Sequence, residues 1–205
     1  MLKPVQRILK RMIICGILVS VGWSIFLISE RKQLSNGLIR FHVVAHSDSK
    51  EDQAIKETVR DAVLNSIQTD LNKIADIQHA KEYLQANIPK IQKIVNHTLE
   101  ELGFLGNSKV SLCKEQFDVR HYDTFSLPSG VYDSLRIVIG DGLGENWWCV
   151  SFPTLCIPTS VSGFEDTAVG AGFSDSLIQT LSGNDAYEIH FFFLDQLGKL
   201  ENFLF

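Results

Sequence analysis

The sequence predicts an α+β protein: an N-terminal membrane helix, then one mixed domain with a mainly antiparallel sheet and two to three helices. Three observations carry this. An uncharged apolar run occupies residues 12–28, apolar residues recur at helical spacing between residues 48 and 102, and beyond residue 108 the pattern shifts to short β-rich segments divided by Gly, Pro and Asp.

The apolar run follows Lys3, Arg7, Lys10 and Arg11. At about 1.5 Å per residue it makes roughly 25 Å of helix, near the lower limit for spanning a bilayer core and longer than most signal-peptide apolar regions. No small-x-small triplet follows the run, which favours an uncleaved anchor; Ser20, Gly22 and Ser29 leave a non-ideal cleavage site open. The basic flank keeps the N-terminus in the cytoplasm and sends everything after residue 28 across the membrane, although Arg31 and Lys32 weaken the asymmetry. A buried core helix is the alternative, disfavoured because the run has no polar stripe. Six of the 19 basic residues and one of the 24 acidic residues lie in residues 1–32, so the remainder has 13 basic against 23 acidic residues and a net charge near −10. An acidic exported part without Lys and Arg clusters argues against nucleic acid.

The organisation expected is a basic flank and anchor at 1–32, a domain at 33–157, a loop at 158–186, and a strand and tail at 187–205 that return to the same domain. Residues 38–46 alternate as a strand, with Ile39, Phe41, Val43 and Ala45 on one face and Arg40, His42, Val44 and His46 on the other. A helix follows, capped by Asp48 or Ser49 with Glu51 or Asp52 at capping-box spacing, and striped by Ile55, Val59, Ala62, Val63 and Ile67. A second helical region, Ile74 through Leu102, is expected to break at Pro89 with Asn87 capping its second piece, and to end at Gly103. Residues 110–117, 120–125, 135–139 and 147–152 read as strands. Residues 158–186, rich in Ser, Thr, Gly and Asp, read as a mobile loop, with a short helix over 175–181 as one variant and an ordered loop covering a sheet edge as another. Residues 187–194 read as a strand, and 194–205 as a short amphipathic helix.

Residues 127–156 concentrate two of the three tryptophans, two of the four cysteines and two of the five prolines. The chemistry these invite is mostly excluded by spacing. His42 and His46 lie about 13 Å apart along a strand, too far to share a metal ion. Cys149 and Cys156 are too widely spaced for the usual zinc pairs; in an exported domain a Cys149–Cys156 disulfide is the better reading, with a free nucleophilic thiol the sharper alternative. No Gly-x-Ser-x-Gly elbow occurs, and Gly140, Gly142 and Gly144 suit a hairpin with positive φ better than a nucleotide fingerprint. No metal, cofactor or small-molecule substrate is therefore expected. Recognition remains. On a strand, Trp147 and Trp148 point to opposite faces, so one fills the core while the other is presented or covered; both being core residues is the bland alternative.

The residues 39–49 (Ile-Arg-Phe-His-Val-Val-Ala-His-Ser-Asp-Ser), with Asp52, Gln53, Lys56 and Val59-Arg-Asp-Ala-Val, then 127–132 (Leu-Pro-Ser-Gly-Val-Tyr), Leu135-Arg-Ile-Val-Ile-Gly and 144–156 (Gly-Glu-Asn-Trp-Trp-Cys-Val-Ser-Phe-Pro-Thr-Leu-Cys), resemble the stage II sporulation protein R family of endospore-forming bacteria. His46 stands where that family usually has Asn, Ser129 where it has Ala, and Thr154 where it has a second Pro. The resemblance implies a signalling protein made in the forespore and exported into the space between forespore and mother-cell membranes. There it would activate a membrane-embedded aspartic protease that processes the mother cell's inactive early sigma factor, without being an enzyme itself. The partner-binding candidates are Leu127, Pro128, Gly130, Tyr132, Arg136, Asn146, Trp147 and Trp148, with His42 and Asp48; the membrane is met through residues 12–28. The competing reading is an exported hydrolase acting on peptide or cell wall, using Asp48, His42 and Ser47 or Cys149.

Overall fold

The structure is a computed structural model that describes residues 2–155, 161–183 and 188–205. Helix α1 (Leu2–Gly37) leads into strand β1 (Ile39–Val44). Helices α2 (Lys50–Leu71) and α3 (Ile77–Glu101) follow, then strands β2 (Ser108–Phe117), β3 (Arg120–His121), β4 (Ser126–Leu127), β5 (Gly130–Ile139) and β6 (Asn146–Phe152). Helices α4 (Val161–Gly170), α5 (Asp175–Leu181) and α6 (Glu188–Leu204) end the chain. The α+β class expected from sequence holds, with an apolar N-terminal helix and a mixed four-stranded sheet in the order β2-β5-β1-β6. β1 runs parallel to β5 and antiparallel to β6, and β2 runs antiparallel to β5.

All six residues of β1 are buried. One sheet face, formed by Ile39, Phe41, Val43, Leu135, Ile137 and Cys149, packs against the stripes Val59, Val63 and Ile67 of α2 and Leu84, Ile91 and Val95 of α3. The opposite face carries Phe117, Tyr132 and Val150 and is covered by Leu34 of α1 and Leu38 just after it, and by Phe164, Leu177 and Leu194 of the C-terminal helices. A sheet between two helical layers results. The small sheet of β3 and β4 lies beside the second core, to which Phe125 and Leu127 belong.

Ser49 caps α2, its side chain accepting from the Asp52 amide at 3.1 Å, as the capping-box spacing predicts. Asp76 caps α3 through the amides of Gln78 and His79. Gly103, at φ 72°, closes α3: its amide bonds Glu100 O and that of Phe104 bonds Leu99 O, the paired pattern that a left-handed glycine permits. The break expected at Pro89 does not occur. α3 runs through it, and Asn87 caps nothing; its side-chain amide donates to Tyr83 O. One lost backbone bond costs less here than giving up the continuous stripe from Ala80 to Leu99 against the sheet.

Four other expectations are corrected. After α1 the described residues contain five helices rather than two to three. The segment read as a mobile loop folds into α4 and α5, of which only α5 was anticipated, at the residues observed; Ser174 caps it. The strand expected over 187–194 is the beginning of α6, with Tyr187 outside the described residues. The second sheet face needed a cover, and tertiary packing overrode local β preference. Nor do Gly140, Gly142 and Gly144 form a hairpin, because β1 lies between β5 and β6. Their loop crosses the end of β1, and a Cβ on Gly144 would fall 2.2 Å from Ser47 O.

α6 approaches the turn before β5 so closely that a Cβ on Gly198 would sit 1.6 Å from Ser129 O. In an exposed helix Gly→Ala stabilises by about 1 kcal/mol. Here Gly198→Ala is expected to reverse that sign and lower stability by about 1–3 kcal/mol through overpacking. Thermal unfolding of the purified chain checks this; an unchanged or higher melting temperature contradicts the close approach.

Candidate functional site

Two segments about a hundred residues apart meet at the end of β1. The amides of Leu143 and Gly144 donate to His46 O and Ala45 O, and that of Asp141 donates to His46 Nδ1 at 3.0 Å. Glu145 N donates to Asp48 Oδ1 at 2.7 Å, and Lys56 Nζ donates to Glu145 O at 3.1 Å. Gln53 Nε2 holds Ser47 O, while Ser47 Oγ donates to Asp52. The Ser-Asp-Ser turn is thus the fastening for the glycine loop that delivers Asn146, Trp147 and Trp148 to their strand.

Beyond that fastening, a row of side chains crosses the second sheet face. Cross-strand register places Trp148 beside His42, His42 beside Arg136, and Arg136 beside Ser111. The His42 ring stacks on Trp148 at 3.7 Å and 17°, with Nε2 2.8 Å from Asn146 Oδ1 and Nδ1 3.3 Å from both Glu115 carboxylate oxygens. Arg136 Nε lies 3.2 Å from Glu115 Oε1, and the Arg120 guanidinium covers the Trp148 ring at 5.0 Å. Burial by itself raises the Glu115 carboxyl, but the hydrogen bond with His42 and the positive charge of Arg136 outweigh it and hold the group below its ordinary range. Cys113, on the same face, moves the other way: burial and the Glu115 charge push its thiol up and keep it protonated near neutral pH.

The row continues into a buried layer that explains the Leu-Pro-Ser-Gly-Val-Tyr motif. Phe117 packs edge-on against both Trp148 and Tyr132, with the fully buried Arg40 guanidinium over its ring at 4.4 Å. Tyr132 donates to Pro128 O and accepts from Arg31 Nη1, each at 2.8 Å; Arg31 Nη2 reaches Glu201 of α6. Ser129 N and Oγ both donate to Asp195 of α6. Gly130 has φ 145°, and a Cβ there would lie 1.3 Å from Arg31 Nη2. This motif joins the end of α1 and α6 to the sheet.

The candidates therefore divide. Leu127, Pro128, Gly130 and Tyr132 are buried, His42 nearly so, and they hold the surface from beneath. Asp48 and Asn146 are exposed, while Arg136, Trp147 and Trp148 are half-buried. The two tryptophans do face opposite ways: Trp147 packs edge-on to Phe41 in the first core under Arg60, and Trp148 belongs to the row. Cys149 is a buried free thiol in the first core and Cys156 lies outside the described residues, so the expected bridge is not shown. His42 and Cys149 lie on opposite sheet faces and share no cleft, which removes the arrangement a hydrolase would need from them. His42 and His46 hold separate partners, and the described residues contain no group of three or more metal-ligating side chains. Sequence reading missed Glu115 and Arg120; the alternation Ser111, Cys113, Glu115, Phe117 was the available signal.

The family model for stage II sporulation protein R matches residues 35–162. Stage II sporulation protein R of Bacillus subtilis (strain 168) is 37% identical over 118 residues, 58% of this chain and 53% of that protein, so the match spans about half the length of the curated relative. No solved structure matches the chain.

Because the Glu115 carboxyl is held below its ordinary value of 4.5, its stabilising contribution is complete above that value and is lost as the pH falls through the lower folded value. Glu115→Gln is expected to be less stable than the native chain at neutral pH. The gap should close on acidification below about pH 4, as denaturant unfolding followed across pH will show. A gap that persists unchanged at low pH contradicts the assignment.

Proposed function

The chain belongs to the stage II sporulation protein R family, and from that premise we propose that it is an exported signalling protein of sporulation. In this reading it crosses the forespore membrane, remains attached through residues 12–28, and activates a membrane-embedded aspartic protease. Activation triggers processing of the mother-cell pro-sigma factor. The chain acts as a protein ligand and carries out no chemistry of its own.

The observation that supports this most is the half-open row Trp148–His42–Arg136 with Asn146 at its rim, placed where the two motif segments converge. Aromatic and guanidinium groups that are partly buried and already oriented are suited to anchor a protein partner, because little side-chain freedom is lost on contact. The row also borders β6, an edge strand of the four-stranded sheet. One helix among the described residues, Gln6–Gly37, is long and apolar enough to cross a membrane, consistent with an anchor or signal segment.

The test is co-expression of the chain with the protease and its pro-sigma substrate, followed by immunoblotting of the precursor. Arg136→Ala and Asn146→Ala remove half-exposed and exposed groups without hollowing a core. Together they are expected to lower processing about tenfold or more, the loss of a contact cluster worth about 1.4 kcal/mol or above, with unchanged circular dichroism and a melting temperature lowered only by the lost Glu115 and His42 contacts. Full processing by the folded double variant excludes this surface as the contact.

A further inference from the structure

Helix α6 is apolar on both sides. The side facing the domain buries Leu194 and packs Leu197 and Phe191 against the second core, with polar contacts around them: His190 Nε2 lies 2.6 Å from Glu30 Oε2 of α1, Asp195 takes the Ser129 bonds, Glu201 takes Arg31, and Asn202 donates to Phe117 O. The side facing away carries Ile189, Phe192, Phe193, Leu200, Phe203 and Leu204, which fall within roughly 120° of the helix circumference at 100° per residue and are interrupted there only by Gln196. Ile189 is 72% exposed, Phe192 56% and Phe203 86%. A helix on the surface of a soluble domain turns a polar face outward, so the medium beyond this second apolar face is apolar.

The position of α6 identifies that medium. The His190 ring lies 6.0 Å from the ring of Trp23 and 5.8 Å from that of Phe26. Both belong to the apolar run, and at 1.5 Å per residue they lie about 7.5 Å and about 3 Å before its end at Ile28. The first turns of α6 are therefore fixed at the depth of the last turns of the candidate span. Ile189, Phe192 and Phe193 project sideways at that depth, beside a tryptophan of the kind that favours the interface between lipid and water.

We propose that α6 lies along the outer surface of the bilayer, with its Ile189, Phe192 and Phe193 face entering the lipid. The protein then meets the membrane twice, through the spanning helix and through this C-terminal helix, whose other side is occupied by the domain instead of by water. The proposal rests on residues 12–28 spanning the membrane and is independent of the protease reading.

The experiment places the full-length chain, at low protein-to-lipid ratio, in phosphatidylcholine–phosphatidylglycerol vesicles containing a lipid with a diazirine in its acyl chain. After photolysis, adducts are mapped by mass spectrometry. Adducts are expected both in residues 12–28 and in residues 189–204. The triple variant Ile189→Glu, Phe192→Glu, Phe193→Glu alters only exposed positions and is expected to lose about tenfold or more of the α6 adducts while keeping those in 12–28. Adducts confined to 12–28 overturn the proposal, and chain-to-chain cross-links at Lys199 with a separate bifunctional amine-reactive reagent would then show a second copy as the occupant. Absence of adducts in both segments overturns the membrane span along with it.

Discussion

Burial of β1 on both faces is the constraint from which the remaining architecture follows. A strand whose six residues are all removed from water needs a packed layer on each side, and the two layers come from different parts of the chain. α2 and α3, next in sequence, supply the first. The second is assembled from the two ends of the protein, the last turns of α1 and the helices after residue 160. Each core side chain of Leu or Phe size buried this way contributes about 1.5–3 kcal/mol. Closing the second layer therefore outweighs the local preferences of a segment rich in Ser, Thr and Gly.

That second layer contains charge, which is unusual for a core. Arg40 is wholly buried, its guanidinium facing the rings of Phe117, Tyr122 and Tyr132 and donating to Tyr122 Oη at 3.0 Å. Desolvating a cation costs several kcal/mol, and desolvated ring contacts of this type return up to about 2 kcal/mol or more each. Burial raises the pKa of Tyr132 and keeps its hydroxyl neutral, while Arg31 and Arg40 pull the other way. The protonated hydroxyl can then accept from Arg31 while donating to Pro128 O. The half-open row of Trp148, His42 and Arg136 rests on this layer through Phe117, so its geometry is set from below.

The first layer was legible in sequence because its signals are local. The β1 alternation, the Ser49 cap, the stripes of α2 and α3 and the Gly103 stop are each contained within a few residues, and each was found. Pro89 misled because the rule against proline in a helix prices one hydrogen bond and cannot see the sheet beneath. The second layer was hidden for a related reason. Residues 187–194 read as a strand because nothing local shows that Asp195 and Glu201, further along the same helix, must reach Ser129 and Arg31. The candidate site divided similarly. Motif density located the right residues, but whether a motif residue displays itself or supports another depends on long-range pairing; Tyr132 and Gly130 turned out to support.

The joint between α1 and the domain fixes how the domain is carried relative to the apolar helix. Leu34 and Leu38 are fully buried, and Arg31 is held by both Tyr132 and Glu201, so the apolar helix does not end in a swivel. A domain on a flexible tether samples all orientations and must surrender that rotational freedom on every encounter. One mounted on a stiff stalk has surrendered it during folding. Under the proposed anchoring, lateral diffusion in the membrane plane becomes the principal search, and the face presented to a partner is the same at each collision.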